Sequence, residues 1–322
     1  MWLLFWIIWR DKFLFIPLIA VAFSAPFTFS SFAININHSN IEKDIKIMSW
    51  NVKNFDLYNW SRNASTRAKM LQIIADEKPA IICFQEFYTD NGMLFNNIKY
   101  LTDTLGYKYH YFQPTTQITK QNYKKHCSKQ TSCTIHQKWG VAIFSNYPII
   151  DTGRIDFANS KNNECIYTDL LINGKTCRIY SVHFQSLRLG NSDYAILDSL
   201  EIKLTADWKS LSNVARKMKR AYSKRALQAS AVAQSVNNHS GIQIVCGDFN
   251  DVPVSYTYQT VKGNMNDAFV QKGNGFGHTY VTIIPAFRID YALFHPSLQI
   301  NSYKSIRKEL SDHYPVIVTF SY

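Results

Sequence analysis

The residues of this chain that could do chemistry stand where runs of apolar residues give way. The densest group is Gly247-Asp248-Phe249-Asn250-Asp251-Val252-Pro253, directly after Ile242-Gln243-Ile244-Val245-Cys246. An acid and an amide two positions apart project the same way from extended backbone, and the glycine admits close approach of a neighbouring strand. Glu86 follows Ile81-Ile82-Cys83-Phe84-Gln85. A carboxylate so placed is either a satisfied structural acid or a ligand for a hard cation. Asn51 closes Ile47-Met48-Ser49-Trp50 in the same manner, where alone it reads as a turn former.

Two histidines join this set. His183 ends Arg178-Ile179-Tyr180-Ser181-Val182, where a lone imidazole is ordinarily structural. His313 lies in Ser311-Asp312-His313-Tyr314-Pro315, just before the last apolar run. Its neighbour Asp312 cannot easily pair with it, because successive side chains of extended backbone diverge. A carboxylate from elsewhere must orient the ring, and Asp290 in Arg288-Ile289-Asp290-Tyr291 is the natural candidate.

To act together these residues need a scaffold that brings strand ends to one rim. Short runs rich in β-branched and aromatic residues predict strands over 45–51, 80–85, 107–112, 139–145, 165–172, 175–183, 242–247, 289–294 and 316–320. Such runs suit strands buried in stacked sheets, and Asn173-Gly174 predicts a hairpin turn between two of them. Thr66 to Glu77 places Met70, Ile73 and Ile74 on one helical face and ends before Pro79. The stretch from Ala195 to Val236, rich in Ala, Leu, Lys and Gln, is also read as helical.

The series Ser49-Trp50-Asn51-Val52, Gln85-Glu86, Ser181-Val182-His183-Phe184, Gly247-Asp248-Phe249-Asn250, Arg288-Ile289-Asp290-Tyr291 and Ser311-Asp312-His313-Tyr314-Pro315 resembles the endonuclease/exonuclease/phosphatase superfamily. The order is the family's, the span is Ile45 to Tyr322, and the nearest likeness is a membrane-anchored bacterial branch with hydrophobic amino ends. The resemblance implies an α/β fold, a four-layer α/β/β/α sandwich of two packed mixed β-sheets flanked by helices, with the site at one edge. It makes Glu86 the principal metal ligand, with Asn51 and Asp312 close by. This all-oxygen set suits Mg²⁺ or Mn²⁺, and no organic cofactor is implied.

The same resemblance makes His183, Asp248, Asn250, Asp290 and His313 the catalytic group. His313, oriented by Asp290, would activate water or hold the phosphoryl group, and Asp248 is the rival base. Asn250 would position the nucleophile or phosphate, and His183 would donate to a non-bridging oxygen. In the DNA-repair branch the position of His183 is typically tyrosine. His183-Phe184-Gln185-Ser186 looks more like the branch of secreted nucleases, sphingomyelinases, deadenylases and inositol-phosphate phosphatases, which disfavours abasic-site repair. The expectation is a divalent-metal-dependent hydrolase of phosphate esters, foremost a phosphodiesterase or nuclease. A lipid phosphodiesterase or inositol-phosphate phosphatase is the alternative, and a non-catalytic binding domain is the third reading.

Charge and the amino end bear on partners. Lys and Arg number 35 against 23 Asp and Glu, a formal net charge of +12. A field of that sign favours nucleic acid, phospholipid headgroups or an acidic membrane surface. Arg216, Lys217, Lys219, Arg220, Lys224 and Arg225 form either a solvated outer helix face or a contact for phosphates or headgroups. The stretch 113–138 is read as a second basic loop. Phe13 to Ile34 carries no charge and is long enough to span a bilayer as a single transmembrane helix. The expected organisation is a membrane anchor over 1–34, a linker over 35–44 and a catalytic domain over 45–322. A cleaved signal peptide ending near Ser31-Phe32-Ala33 is the alternative. Arg10 and Lys12 ahead of the helix would keep the amino end cytoplasmic and send the domain outside.

The six cysteines do not read as a disulfide framework. Cys83 and Cys246 fall in apolar runs and are expected to be buried. Cys127 and Cys133, in a polar loop between His126 and His136, could bridge in an extracytoplasmic domain.

Overall fold

Ile45 and Ile47 face one way from their strand and Met48 and Trp50 the other, and all four are buried. A strand covered on both faces is the unit repeated through the molecule, and it reads in sequence as a nearly continuous apolar run. The computed structural model describes residues 15–35, 44–118, 136–157, 160, 162–187, 208–281 and 288–322. Within them lie strands β1 (Ile45–Asn51), β2 (Ile81–Thr89), β3 (Tyr109–Ile118), β4 (Gln137–Ser145), β5 (Ile149–Ile155) and β6 (Glu164–Ile172). The chain continues with β7 (Lys175–His183), β8 (Ile242–Asp248), β9 (Asn266–Asp267), β10 (Asp290–Phe294), β11 (Gln299–Ser305) and β12 (Val316–Ser321). The accompanying helices are α1 (Phe15–Ser31), α2 (Thr66–Glu77), α3 (Trp208–Asn238), α4 (Tyr256–Lys262) and α5 (Ala268–Lys272).

The strands form two six-stranded sheets, ordered β11-β12-β1-β2-β4-β3 and β5-β6-β7-β8-β10-β9. Both are mixed: β1 runs parallel to β2 and β7 to β8, while the other pairs are antiparallel. The sheets pack face to face through Ile47, Cys83 and Ile143 on one side and Ile179, Ile244 and Phe294 on the other. On the outer face of the first sheet, Met70, Leu71, Ile73 and Ile74 of α2 cover Met48, Ile82 and Phe84. Beyond the second sheet, Ala229, Val232 and Val236 of α3, with Tyr258 and Val261 of α4, cover Tyr180, Val182 and Val245. This is the helix–sheet–sheet–helix layering that the motif series implies.

Several boundaries differ from the sequence reading. β2 does not stop at Gln85 but continues through Glu86 to Thr89. β3 runs on to Ile118 and β4 starts at Gln137, so both ends of the stretch read as a loop over 113–138 are strand. The part holding His126, Cys127 and Cys133 lies outside the described residues. β5, β9 and β11 were not expected, and each is a sheet edge. Edge strands carry polar, half-exposed residues such as Asp151 and Arg154, which hide the alternation. α3 begins at Trp208, and the part of the expected helix before it lies outside the described residues. Cys83, Cys165, Cys177 and Cys246 are buried free thiols.

Among the described residues no helix is long and apolar enough to cross a membrane, which does not bear out the expected spanning helix. α1 has 17 residues, a length of about 25 Å. Leu18, Ile19, Val21 and Phe23 on it are exposed. Its end is fastened to the domain. Arg288 Nη2 donates to the Ser30 carbonyl at 2.7 Å, Ala33 pairs with Gly275, and the Phe32 and Phe276 rings meet at 5.1 Å. Asn35 Nδ2 donates to the carbonyls of Val270 and Gly273, so the chain stays on the domain to that point.

Candidate active site

Register brings the polar strand ends together. His183 lies opposite Asp248, Asp248 opposite Asp290, and Asn51 opposite Gln85. β12 runs antiparallel to β1, so Asp312 and His313, just before it, reach the rim where β1 ends. Beneath that rim Gln85 Nε2 donates to Ser181 Oγ across the inter-sheet space at 3.0 Å, tying the two sheets directly below the site.

Glu86 is delivered by a bulge. Phe84 pairs with Ala142 and Phe87 with Gly140, so Gln85 and Glu86 share the space of one residue on β4. The extra residue puts Phe84 and Phe87, three apart, into the same outer-face cluster, where their rings meet at 5.3 Å. Glu86 itself takes a left-handed backbone, φ +48°, a conformation a non-glycine residue holds only when its surroundings enforce it. Burial of both phenylalanines supplies that enforcement. At Gly247, φ +145°, a Cβ would meet the Val182 carbonyl oxygen at 2.0 Å, so only glycine lets β7 and β8 approach this closely.

One half of the site is buried and internally paired. Asp248 Oδ2 accepts from Asn51 Nδ2 and Asn250 Nδ2, each at 3.0 Å, and Oδ1 accepts from the Asn250 backbone N–H at 2.8 Å. His313 Nε2 stands 3.6 Å from the same Oδ2 and His183 Nε2 3.8 Å. His313 Nδ1 is 2.9 Å from Asp290 Oδ2, the orienting pair expected from sequence. Thr279 Oγ1 accepts from the backbone N–H of Ile289 and Asp290, fixing that acid's position. Burial pushes the Asp248 carboxyl up to about 6, against the pull of His313. Burial works against a charged His313, but Asp290 and then Asp248 outweigh it and hold the imidazole well above its usual range.

The other half faces a cleft. Glu86 Oε1 lies 3.4 Å from Asn51 Nδ2 and 3.7 Å from His183 Nε2. Burial, then the charge of Asp312, raises the Glu86 carboxyl above its ordinary range. Asp312 feels burial too, but His313 and Lys53 outweigh it and hold it low. Lys53 Nζ pairs with Asp312 Oδ2 at 2.9 Å. Two carboxylates that repel one another beside an amide form an all-oxygen set suited to Mg²⁺ or Mn²⁺, so the residues fit a hard divalent cation. Asp248, Asp290 and His313 also bring one ligand atom each within 4.8 Å of the others. Within that group His313 Nδ1 and Asp290 Oδ2 share a 2.9 Å hydrogen bond, while Asp290 Oδ1 has no hydrogen-bond partner among the described residues.

The eight residues singled out for the site, Asn51, Glu86, His183, Asp248, Asn250, Asp290, Asp312 and His313, thus lie at one rim. Sequence reasoning passed over Lys53, gave Ser311 no role of its own and placed Arg225 elsewhere. Ser311 Oγ donates to the Asn51 carbonyl at 2.8 Å and accepts from the His313 N–H, joining the two loops. Lys53 is two residues past Asn51, a proximity that could have marked it. Arg225 was grouped with an outward basic face but is buried, donating to Asp251 Oδ2 at 3.0 Å and to the Gln185 carbonyl at 2.9 Å. Its neighbours Arg216, Lys217, Lys219, Arg220 and Lys224 are exposed.

The family model described as "Endonuclease/Exonuclease/phosphatase family" matches residues 48–313. Comparison with curated protein sequences gives no match. Among solved structures, the catalytic domain of human nocturnin with bound sulfate is 18% identical, with a TM-score of 0.58 over 88% of this chain and 97% of that one. D. rerio TDP2 complexed with single-strand DNA product is 15% identical, TM-score 0.56, covering 87% and 100%. A mannosyl-6-phosphatase of Bacteroides thetaiotaomicron is 15% identical, TM-score 0.53, covering 86% and 100%. These likenesses show a shared fold, and the family match spans every residue of the site, from Asn51 to His313. The chain therefore belongs to the endonuclease/exonuclease/phosphatase family of hydrolases.

Proposed function

We propose that the chain is a divalent-metal-dependent phosphodiesterase acting on nucleic acid. The observation that carries this reading is the pairing of a saturated polar hub at Asp248 with half-exposed carboxylates at Glu86 and Asp312 beside it. Glu86 and Asp312, with Asn51, would hold Mg²⁺ or Mn²⁺. When bound, such an ion neutralises charge on a phosphate oxygen and on the leaving oxygen. Asp248 accepts the proton of the attacking water, because its oxygens are already fixed by the Asn51 and Asn250 amides. His313, kept charged by Asp290, and His183 donate from Nε2 to the oxygens on which charge builds.

The basic net charge and a fold shared with D. rerio TDP2 in its single-strand DNA complex support a nucleic-acid substrate. The test is turnover of single-stranded DNA, RNA, sphingomyelin vesicles and inositol phosphates by the full chain in Mg²⁺, in Mn²⁺ and in EDTA. Hydrolysis of the nucleic acids that EDTA abolishes is expected. Turnover confined to the lipid or the inositol phosphates would move the assignment to those substrates, and no metal-dependent turnover at all would sink it.

The same reading includes attachment to a membrane through the apolar amino end. The exposed Leu18, Ile19, Val21 and Phe23 of α1 support it, as does the uncharged run from Phe13 to Ile34. With the domain on the outer side, protease added to intact cells should digest it. Full protection would overturn that orientation.

A further inference from the structure

The cleft is larger than a phosphate requires. It holds about 460 Å³ and extends from Glu86 and His183 to Thr116 and Asn162, with Tyr58 on one wall. Tyr58 belongs to the loop that leaves β1. Its ring lies 5.0 Å from that of Trp60, and the Lys53 ammonium stands 4.9 Å over the Trp60 ring. The same ammonium pairs with Asp312 at 2.9 Å, so the aromatic pair is joined to the catalytic rim through one lysine. Both rings are exposed, Tyr58 by 57% and Trp60 by 47%.

The backbone beneath these rings is held in place. Lys53, Asn54, Phe55 and Asp56 all take left-handed conformations, φ between 42° and 57°, a strained run for residues with side chains. It persists because Phe55 is fully buried, its ring 5.8 Å from Phe84 and 5.4 Å from Phe87. The Asp56 carboxylate also accepts from the Ser61 N–H and hydroxyl. The bulge that delivers Glu86 supplies Phe84 and Phe87, so the loop and the metal-side carboxylate rest on one aromatic cluster. Two large exposed rings on a rigid support, one lining the cleft and the other beside it under a cation, form a platform for stacking a planar group.

We infer that Tyr58 and Trp60 are a base-stacking subsite that takes a nucleobase of a single-stranded nucleic acid next to the phosphodiester being cleaved. The position of that phosphodiester rests on the phosphodiesterase reading. The Lys53 ammonium beside the rings is shared with Asp312, and it is the chain's formal net charge of +12 that suits an anionic strand over a quaternary ammonium headgroup. Bases within a duplex are stacked on one another, so an unpaired strand is the form that offers a free face.

The test is fluorescence anisotropy of a labelled single-stranded oligonucleotide in EDTA, against an abasic strand of the same length, with the full chain. The wild type should bind the base-bearing strand about tenfold more tightly than the abasic one. Tyr58→Ala with Trp60→Ala should abolish that preference, and Tyr58→Phe with Trp60→Phe should restore most of it. Both side chains are exposed, so folding should survive the changes. Equal binding of the two strands by the wild type overturns the inference, as does a base preference that persists in the alanine variant. Metal-dependent hydrolysis without base preference would leave the phosphodiesterase standing and remove the subsite. Base preference without hydrolysis would do the reverse.

Discussion

The two halves of the site differ in how far the protein satisfies its own charges. Asp248, Asp290 and His313 have side chains exposed by 1%, 2% and 5%, whereas Glu86, Asp312 and Lys53 are exposed by 36%, 30% and 33%. In the buried half every charge has a partner of opposite sign or a hydrogen-bond donor. In the open half burial and then Asp312 raise the Glu86 carboxyl, which His313, Asn51 and Lys53 offset only in part. The first arrangement fixes geometry before substrate arrives. The second, on the proposed metal-dependent reading, is completed by a bound cation. Substitutions in the buried half should therefore cost both activity and stability, and those in the open half activity alone.

The largest effect is expected for His313→Ala. It removes the donor proposed for the phosphoryl group and leaves Asp290 and Asp248 buried without their cation. Activity should fall on the order of 10³-fold, and stability by about 3 kcal/mol in urea unfolding. Loss of activity with unchanged stability would break the comparison, because the half called internally paired would then be held by something else.

Glu86→Gln should come next, with a loss on the order of 10²-fold. Here stability in EDTA should be unchanged or slightly higher, since a carboxylate repelled by Asp312 is gone. Adding Mg²⁺ should raise the wild type's melting temperature by mass action and raise the variant's less. A destabilised variant in EDTA would mean that Glu86 belongs with the paired half.

The buried half was also the more legible in sequence. Asp248, Asn250 and His183 end apolar runs that are covered on both faces, and His313 required an acid from another segment, which Asp290 supplies. What could not be read from local pattern was Glu86's bulge, which depends on pairing with Gly140 and Ala142 far along the chain. The edge strands β5 and β11 were hidden because one side faces water, so polar residues such as Thr152 and Lys304 interrupt the run. Arg225 was misplaced for a related reason. It follows exposed Lys224 in a basic helix, and only the packing of α3 against the loop after β8 turns it inward. Motif order carried the family, while tertiary pairing decided which polar groups are satisfied.

Arg225 also probes how far the buried half extends. It joins the loop after β7, through the Gln185 carbonyl, to the loop after β8, through Asp251. Those loops carry Asn250, whose Nδ2 also donates to the Phe184 carbonyl at 3.0 Å. Arg225→Ala should lower kcat about tenfold and lower the melting temperature, while Lys224→Ala should change neither. Equal effects from both would show that helix charge, and not the buried clamp, is at work.

The smallest expected effect concerns Glu164, which is buried but behaves like the open half. It lies opposite His183 in the strand register and is only 6% exposed, and its Oε2 has no hydrogen-bond partner among the described residues. Burial pushes its carboxyl up to about 7, Arg154 opposing and Asp156 adding to the shift. Because the folded state holds this proton more tightly than the unfolded chain, the stability it contributes is complete below the usual value of 4.5 and is lost as pH rises towards about 7. Glu164→Gln should remove that dependence, so the wild-type melting temperature relative to the variant should fall between these pH values and level off above them. A constant difference across the same window would mean that the carboxylate finds a partner when ionised, and the division between paired and unmatched charge would then follow burial alone.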